Sequence, residues 1–170
     1  LDPLKRYFYA SDIEEFKAFE TQIDDQINNS EISFFDLTHT RLQKRMQEAQ
    51  GLYKDILSTP FDFSEEEVID TKYEDIEYVS SKEEMKDRWR KQLKFSTIAN
   101  FHDLKQEQER ELKLQKEAKT ASEKPASDAA EKVFESRTDA ELEAEARETT
   151  LSSLNEYFDF NDDLQRKDWF

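Results

Sequence analysis

The chain of 170 residues is 39% charged and 35% hydrophobic, and its formal net charge is -16 at pH 7. So acidic a surface disfavours nucleic acid and anionic membranes as partners, since both are bound through basic side chains. The absence of cysteine excludes disulfides and thiolate metal sites. The 13 Phe, 6 Tyr and 2 Trp are too many for a disordered tail, so we expect a thin core beneath a heavily solvated surface.

The turn-forming residues indicate the fold class. One Gly and three Pro are too few for the tight turns that connect strands. The sequence therefore predicts an all-α fold, an irregular multi-helix domain with a long charged helix or arm and little or no β structure. No apolar run approaches the roughly 20 residues of a membrane span. Both chain ends, Leu1-Asp2-Pro3 and Asp168-Trp169-Phe170, are expected to continue into a longer protein.

Two helices are predicted in the first third of the chain. Ser11 and Glu14 form a predicted capping box that opens a helix ending at residues 28–30. A second helix is predicted over residues 33–57, where apolar residues recur at helical spacing. Gly51 interrupts that pattern, and we expect it to allow close packing against another helix. The apolar face of the second helix consists of Phe35, Leu42, Met46, Ala49, Tyr53 and Ile56.

The middle of the chain contains a long connection followed by a long helix. Residues 60–80 lack a clean period and are predicted to form an ordered connection with one short strand at most. Ser81 and Glu84 then form a second capping box. Residues 104–119 are almost all Lys, Glu, Gln and Leu, which predicts a solvated helical arm. The predicted inward-facing positions of the helix before this arm are Met85, Trp89, Leu93, Phe95 and Ile98.

The last third is predicted to begin with a linker. Residues 120–128 are small, polar and interrupted by Pro125, and a short helix is expected after them. Thr138 and Glu141 form a third capping box, and another helix is expected to begin near Asn161. The apolar face between these points consists of Leu142, Ala146, Leu151, Leu154 and Phe158. The predicted organisation is a helical domain with its arm over 1–119, a linker and short helix over 120–137, and a helical hairpin over 138–170.

No pattern of catalytic or metal-binding residues is found in the sequence. A nucleophile elbow and a phosphate-binding loop both need several glycines, and only Gly51 is present. His39 and His102 do not form the two-His helix motif of zinc sites and are predicted to be ordinary polar or boundary residues. Residues 159–163 imitate the start of a calcium loop, but Leu164 stands where that loop needs Gly. We therefore predict no catalytic residue, no cofactor and no metal site.

Several short motifs follow one another along the chain. The aromatic residues 7–9 lead into residues 10–16, Ala-Ser-Asp-Ile-Glu-Glu-Phe, and residues 59–63, Thr-Pro-Phe-Asp-Phe, close the second helix. Residues 81–85 then lead to a Trp and to residues 93–95, Leu-Lys-Phe. This series resembles the N-terminal region of the tail-specific, or C-terminal-processing, proteases of the bacterial envelope. The positions that carry the resemblance are Ser11, Asp12, Phe16, Pro60, Asp62, Phe63, Trp89 and Phe95.

The resemblance implies a larger serine protease, in which an N-terminal helical region precedes a PDZ module and a peptidase domain with a Ser–Lys catalytic pair. It implies that this enzyme degrades or trims proteins from their C-termini in the periplasm. The implied partners are the PDZ and protease domains of the same chain, protein substrates, and an adaptor or a second copy. No catalytic residue of the family falls in this segment, whose expected role is to scaffold those domains, shape the substrate entrance or dock an adaptor. The alternatives are a free-standing acidic helical interaction module and an extended structural protein.

Overall fold

The computed structural model describes the backbone of residues 2–121 and 136–166, and the side chains of residues 2–118 and 136–162. Within these ranges the chain forms five helices and no strand, which confirms the predicted all-α fold. The helices in chain order are α1 (Ala10–Lys17), α2 (Ile23–Asn28), α3 (Ser33–Ile56), α4 (Lys82–Ala121) and α5 (Asp139–Arg166).

Two compact units make up the fold. Unit 1 comprises Leu1–Thr59 and Ser64–Leu93, and unit 2 comprises Pro60–Phe63 and Lys94–Phe170. The predicted division into segments 1–119, 120–137 and 138–170 stays a prediction. Most of the predicted linker and its short helix lie outside the described residues, as does Trp169.

The prediction for the first helix is wrong about the residues that cap its start and about where it ends. The helix begins at Ala10 because the carboxylate of Asp12, rather than a Ser11–Glu14 box, caps the start: Asp12 Oδ2 accepts the Tyr9 N–H at 2.9 Å. It also stops at Lys17, because the backbone over the next residues bonds three positions back, as in Gln22 N–H to Phe19 O at 2.8 Å. Such tight turns separate α1 from α2.

Helix α3 matches its prediction in extent and in most of its buried face. Four of the six predicted apolar positions are buried, Leu42 is half-buried, and Phe35 is 63% exposed. The prediction for Phe35 is therefore wrong, and Thr38 is the buried residue near this end of the helix. Gly51 is exposed, and a Cβ placed on it would have no neighbour within 4 Å, so the expected close packing is wrong as well.

Trp89 is at the centre of unit 1. Its side chain is fully buried, its ring lies 6.1 Å from Tyr7 and 6.3 Å from Tyr53, and its Nε1 donates to the carbonyl of Arg6 at 2.8 Å. The connection that follows α3 contains no strand, although all of it is described, so the strand we allowed for is not formed. A backbone hydrogen bond of 2.8 Å from Ala10 N–H to the carbonyl of Val79 attaches the end of this connection to the start of α1.

Helix α4 includes the predicted charged arm as part of one continuous helix. Its predicted start is confirmed: Glu84 N–H donates to Ser81 Oγ at 3.2 Å, and the Glu84 carboxylate accepts the N–H of Ser80 at 2.8 Å. Met85, Trp89 and Leu93 are buried as predicted.

The inward placement predicted for Phe95 and Ile98 on α4 is wrong, because they are 56% and 38% exposed. On the unit 2 part of α4, Thr97 is fully buried, and its hydroxyl lies 3.2 Å from that of Thr150 on α5. Phe95 is two residues away, which is about 200° around the helix, and therefore faces the other side.

Helix α5 begins as predicted, with Glu141 N–H donating to Thr138 Oγ1 at 3.3 Å and the Glu141 carboxylate accepting the N–H of Thr138 at 2.7 Å. Leu142, Ala146 and Phe158 are buried, whereas Leu151 and Leu154 are half-buried. The helix continues through Asn161, whose side-chain amide donates to Tyr157 O at 2.7 Å instead of capping a new helix. The described part of the predicted hairpin is thus one helix.

Candidate functional site

The most highly charged interior site of unit 1 is the Asp12 cluster, which consists of Asp12, Arg41 and Arg45. The Asp12 side chain has no exposed surface. It accepts two hydrogen bonds of 2.9 Å from Arg45, one of 2.9 Å from the Tyr9 N–H, and a further bond from Arg41. The two Arg side chains lie four residues apart on α3, so they project from the same face of that helix.

Electrostatics fix the ionised form of Asp12. Burial raises the pKa of Asp12, but the hydrogen bonds from Arg45, the Tyr9 amide and Arg41 outweigh it and bring the pKa below its usual value. The same hydrogen bond to Asp12 is the main reason why the pKa of Arg45 is raised. A carboxylate that accepts four hydrogen bonds and has a lowered pKa is poorly suited to transfer protons near neutral pH. The cluster therefore serves to join α1 to α3.

A cavity of about 230 Å³ lies beside the Asp12 cluster in unit 1. Its walls include aromatic rings that two guanidinium groups cover: Arg6 lies 4.9 Å from the centre of the Trp89 ring, and Arg45 lies 4.3 Å from that of Tyr9. Burial, followed by the nearby charge of Glu48, raises the pKa of the Tyr9 phenol. The faces of these rings are thus occupied by the protein's own cations, an arrangement that adds stability to the wall.

A second, apolar cavity of about 460 Å³ lies in unit 2. The rings of Phe63 and Phe101 meet edge to face in its wall, with centroids 5.2 Å apart. One of the two acidic residues in its lining, Glu143, accepts the N–H of Phe61 at 3.0 Å and a bond of 3.1 Å from Arg147 Nε. Through its bond to Phe61, Glu143 holds residues 60–63 against α5.

The eight positions that carry the family resemblance do not converge on one site. Asp12 and Trp89 are buried in unit 1, where Phe16 is half-buried and packs edge to face on Phe8 at 5.2 Å. Phe63 is half-buried in unit 2. The remaining four are exposed, namely Ser11, Pro60, Asp62 and Phe95. The sequence did not identify Arg41 and Arg45 as partners of Asp12, although their spacing of four on α3 is a signal for a shared face.

The two histidines are on the surface. The ring of His39 stacks on Phe35 at 5.8 Å, and His102 Nε2 lies 2.8 Å from the side-chain nitrogen of Gln106. Across residues 2–118 and 136–162, no three His, Cys, Asp or Glu side chains are grouped so that they could hold a metal ion. None of the helices in the described ranges has the length and apolar character that crossing a membrane requires.

Comparison with known proteins identifies a family for this chain. The model of the tail specific protease N-terminal domain family matches residues 1–160 of the 170-residue chain. The chain therefore belongs to this family, which confirms the resemblance found in the sequence. Neither the curated proteins nor the solved structures provide a match to it.

Proposed function

We propose that the chain is the non-catalytic N-terminal domain of a serine endopeptidase of the Ser–Lys type, which degrades or trims proteins from their C-termini in the periplasm. Membership of the family supports a protease as the parent protein. The structure of unit 1 supports an architectural role, because the buried carboxylate of Asp12 binds Arg41 and Arg45 within the unit. Its partners would be the PDZ and protease domains of the same chain, and it requires no cofactor.

The observation that carries this proposal is the exposure of Phe95. This residue belongs to the family-like motif, yet 56% of its surface is accessible, and Ile98 one turn later on α4 is 38% exposed. Covering a large apolar side chain contributes about 1.5–3 kcal/mol. Two exposed apolar side chains one turn apart on a helix are therefore well suited to dock the PDZ or protease domain, and so to scaffold those domains and shape the substrate entrance.

The test is a binding measurement between this chain and the separately expressed PDZ–protease portion of its parent. We expect the two to associate, and we expect Phe95→Ser to weaken the association about tenfold or more. Leu114→Ser is the matched control, since Leu114 lies on the same helix, is 60% exposed, and is not among the motif positions. Equal binding by wild type and Phe95→Ser would remove Phe95 from the interface, and no association at all would contradict the scaffolding role.

The open reading frame around the segment separates this proposal from a free-standing acidic helical interaction module. A signal peptide upstream, with a PDZ-like stretch and a Ser and a Lys in protease context downstream, supports the domain of a periplasmic enzyme. A stop codon soon after Phe170 contradicts it and favours the independent module.

A further inference from the structure

Unit 1 carries an exposed apolar surface where α2 is joined to α3. Three large side chains within nine residues are mostly accessible: Ile27 is 69%, Ile32 is 62% and Phe35 is 63% exposed. We call this surface, with the acidic residues around it, the acidic corner (residues 18–40). An exposed apolar patch that is rimmed by polar residues is typical of protein-binding sites.

The backbone of the acidic corner is held in a defined shape. Gln26 is buried, its carbonyl accepts the Glu31 N–H at 2.8 Å, and its side-chain oxygen accepts the Phe34 N–H at 3.1 Å. Along α3, the ring of His39 stacks on Phe35 one turn earlier, with centroids 5.8 Å apart. Ile32, Phe35 and His39 follow steps of three and four, and such a row forms a ridge that another helix can pack against.

The charge around this ridge has one sign. Residues 18–40 contain no Lys or Arg, and their five acidic side chains are all exposed. None of the five takes part in an ion pair within the described residues. Asp12, which lies outside this stretch, is by contrast paired with Arg41 and Arg45. The five are Glu20, Asp24, Asp25, Glu31 and Asp36.

We propose that the acidic corner docks a basic amphipathic helix of a partner protein, a role that goes beyond the domain docking proposed above. The apolar side of that helix would cover Ile27, Ile32 and Phe35, and its Lys or Arg side chains would lie near the surrounding carboxylates. Charge complementarity selects this partner, because an acidic segment would be repelled. Anionic membranes and nucleic acid are disfavoured by the same repulsion.

The experiment titrates the full chain with a fluorescently labelled designed helix of Leu and Lys, whose Leu residues form one face. Two further peptides serve as probes: the same composition in scrambled order, and the same pattern with Glu in place of Lys. The variants are Phe35→Ser and the double variant Asp24→Asn with Asp25→Asn. The matched control is Phe160→Ser on α5, because Phe160 is also 63% exposed.

We expect the patterned Leu–Lys helix to bind wild type and Phe160→Ser equally, and Phe35→Ser at least about tenfold more weakly. The double variant should bind more weakly at low salt and show a smaller loss of affinity as salt is raised. The proposal is overturned if wild type binds the scrambled or the Glu peptide as tightly as the patterned Leu–Lys helix. It is also overturned if Phe35→Ser binds that helix as tightly as wild type does.

A second measurement separates this proposal from the proposed function. If the PDZ–protease portion of the parent binds the chain but the Leu–Lys helix does not, only the acidic corner proposal fails. If the helix binds but the parent portion does not, the proposed function fails. A third outcome is that the PDZ–protease portion displaces the Leu–Lys helix and that Phe35→Ser weakens the binding of that portion. In that case the acidic corner is an interface within the parent protein, and the proposal of a separate basic partner is overturned.

Discussion

Replacing Asp12 with Asn tests how α1 is held to α3. The substitution keeps the size of the side chain and leaves one oxygen that can still accept the Tyr9 N–H, which is now 2.9 Å from Asp12 Oδ2. It removes the negative charge that faces Arg41 and Arg45. The amide nitrogen of Asn would also point a donor at a guanidinium group, where a hydrogen bond cannot form.

The expected loss follows from the burial of the three side chains. Asp12 has no exposed surface, and the side chains of Arg45 and Arg41 are 13% and 23% exposed. Breaking a buried ion pair by removing one partner typically costs 3–5 kcal/mol. Since Arg41 keeps Glu15 and Arg45 keeps Glu48, we expect the lower end of that range, about 3 kcal/mol in the free energy of unfolding.

Urea unfolding at pH 7, followed by circular dichroism at the helical band, measures the loss. Glu15→Gln is the matched control, because Glu15 contacts Arg41 in the same network but its side chain is 43% exposed. An exposed ion pair contributes about 0–1 kcal/mol, so this variant should unfold close to wild type. A loss below about 1 kcal/mol for Asp12→Asn would refute the reasoning from burial.

The pH dependence gives an independent check on the cause. The pKa of Asp12 is lowered in the folded state, so its contribution to stability is present above the unfolded value of about 3.9 and is lost as pH falls through the folded pKa. The difference between wild type and Asp12→Asn should therefore shrink as the pH is lowered below about 4. A difference that stays constant across this range would mean that charge is not its origin.

Three further predictions concern stability and are measured by the same urea unfolding. Gly51→Ala should stabilise the chain by up to about 1 kcal/mol, since Gly51 is helical, exposed and has open space for a methyl group; a loss would reveal a hidden contact. Thr97→Val should cost about 1 kcal/mol by breaking the buried hydroxyl pair with Thr150, whereas Thr97→Ser should cost less; equal losses would show that the methyl group contributes as much as the hydroxyl. Ser30→Gly should stabilise by about 1 kcal/mol, because Ser30 has a φ of 58°, and Ser30→Ala should not.

Much of the helical framework could be predicted from local patterns. The capping residues Ser81 and Thr138 each lie three residues before a Glu, and both hydroxyls accept the N–H of that Glu. The Thr138 box is complete, whereas the Glu84 carboxylate accepts the N–H of Ser80 rather than that of Ser81. Helix α3 was predicted to within about a residue at each end, because its apolar positions recur with a helical period over many turns. These features depend only on residues that are close together in the chain.

The features that were missed depend on distant partners. Asp12 receives its hydrogen bonds from Arg41 and Arg45, 29 and 33 residues later, and no local pattern specifies that pairing. Thr97 is buried in place of Phe95 because its hydroxyl forms a hydrogen bond with that of Thr150, 53 residues away. Hydrophobicity alone ranks Phe above Thr for burial, so the sequence pattern selected the wrong face of α4.

The hydrogen bonds that join the start of unit 1 to α4 have a consequence for the order in which the protein folds. Trp89 Nε1 donates to the carbonyl of Arg6, and Arg88 donates to that of Lys5, each across 83 residues of chain. At a synthesis rate of roughly 5–20 residues per second, these partners are made about 4–17 s after the carbonyls they bind. The start of unit 1 is thus among the last of its parts to be fixed in place, and a nascent chain that ends before Trp89 cannot complete the unit's core.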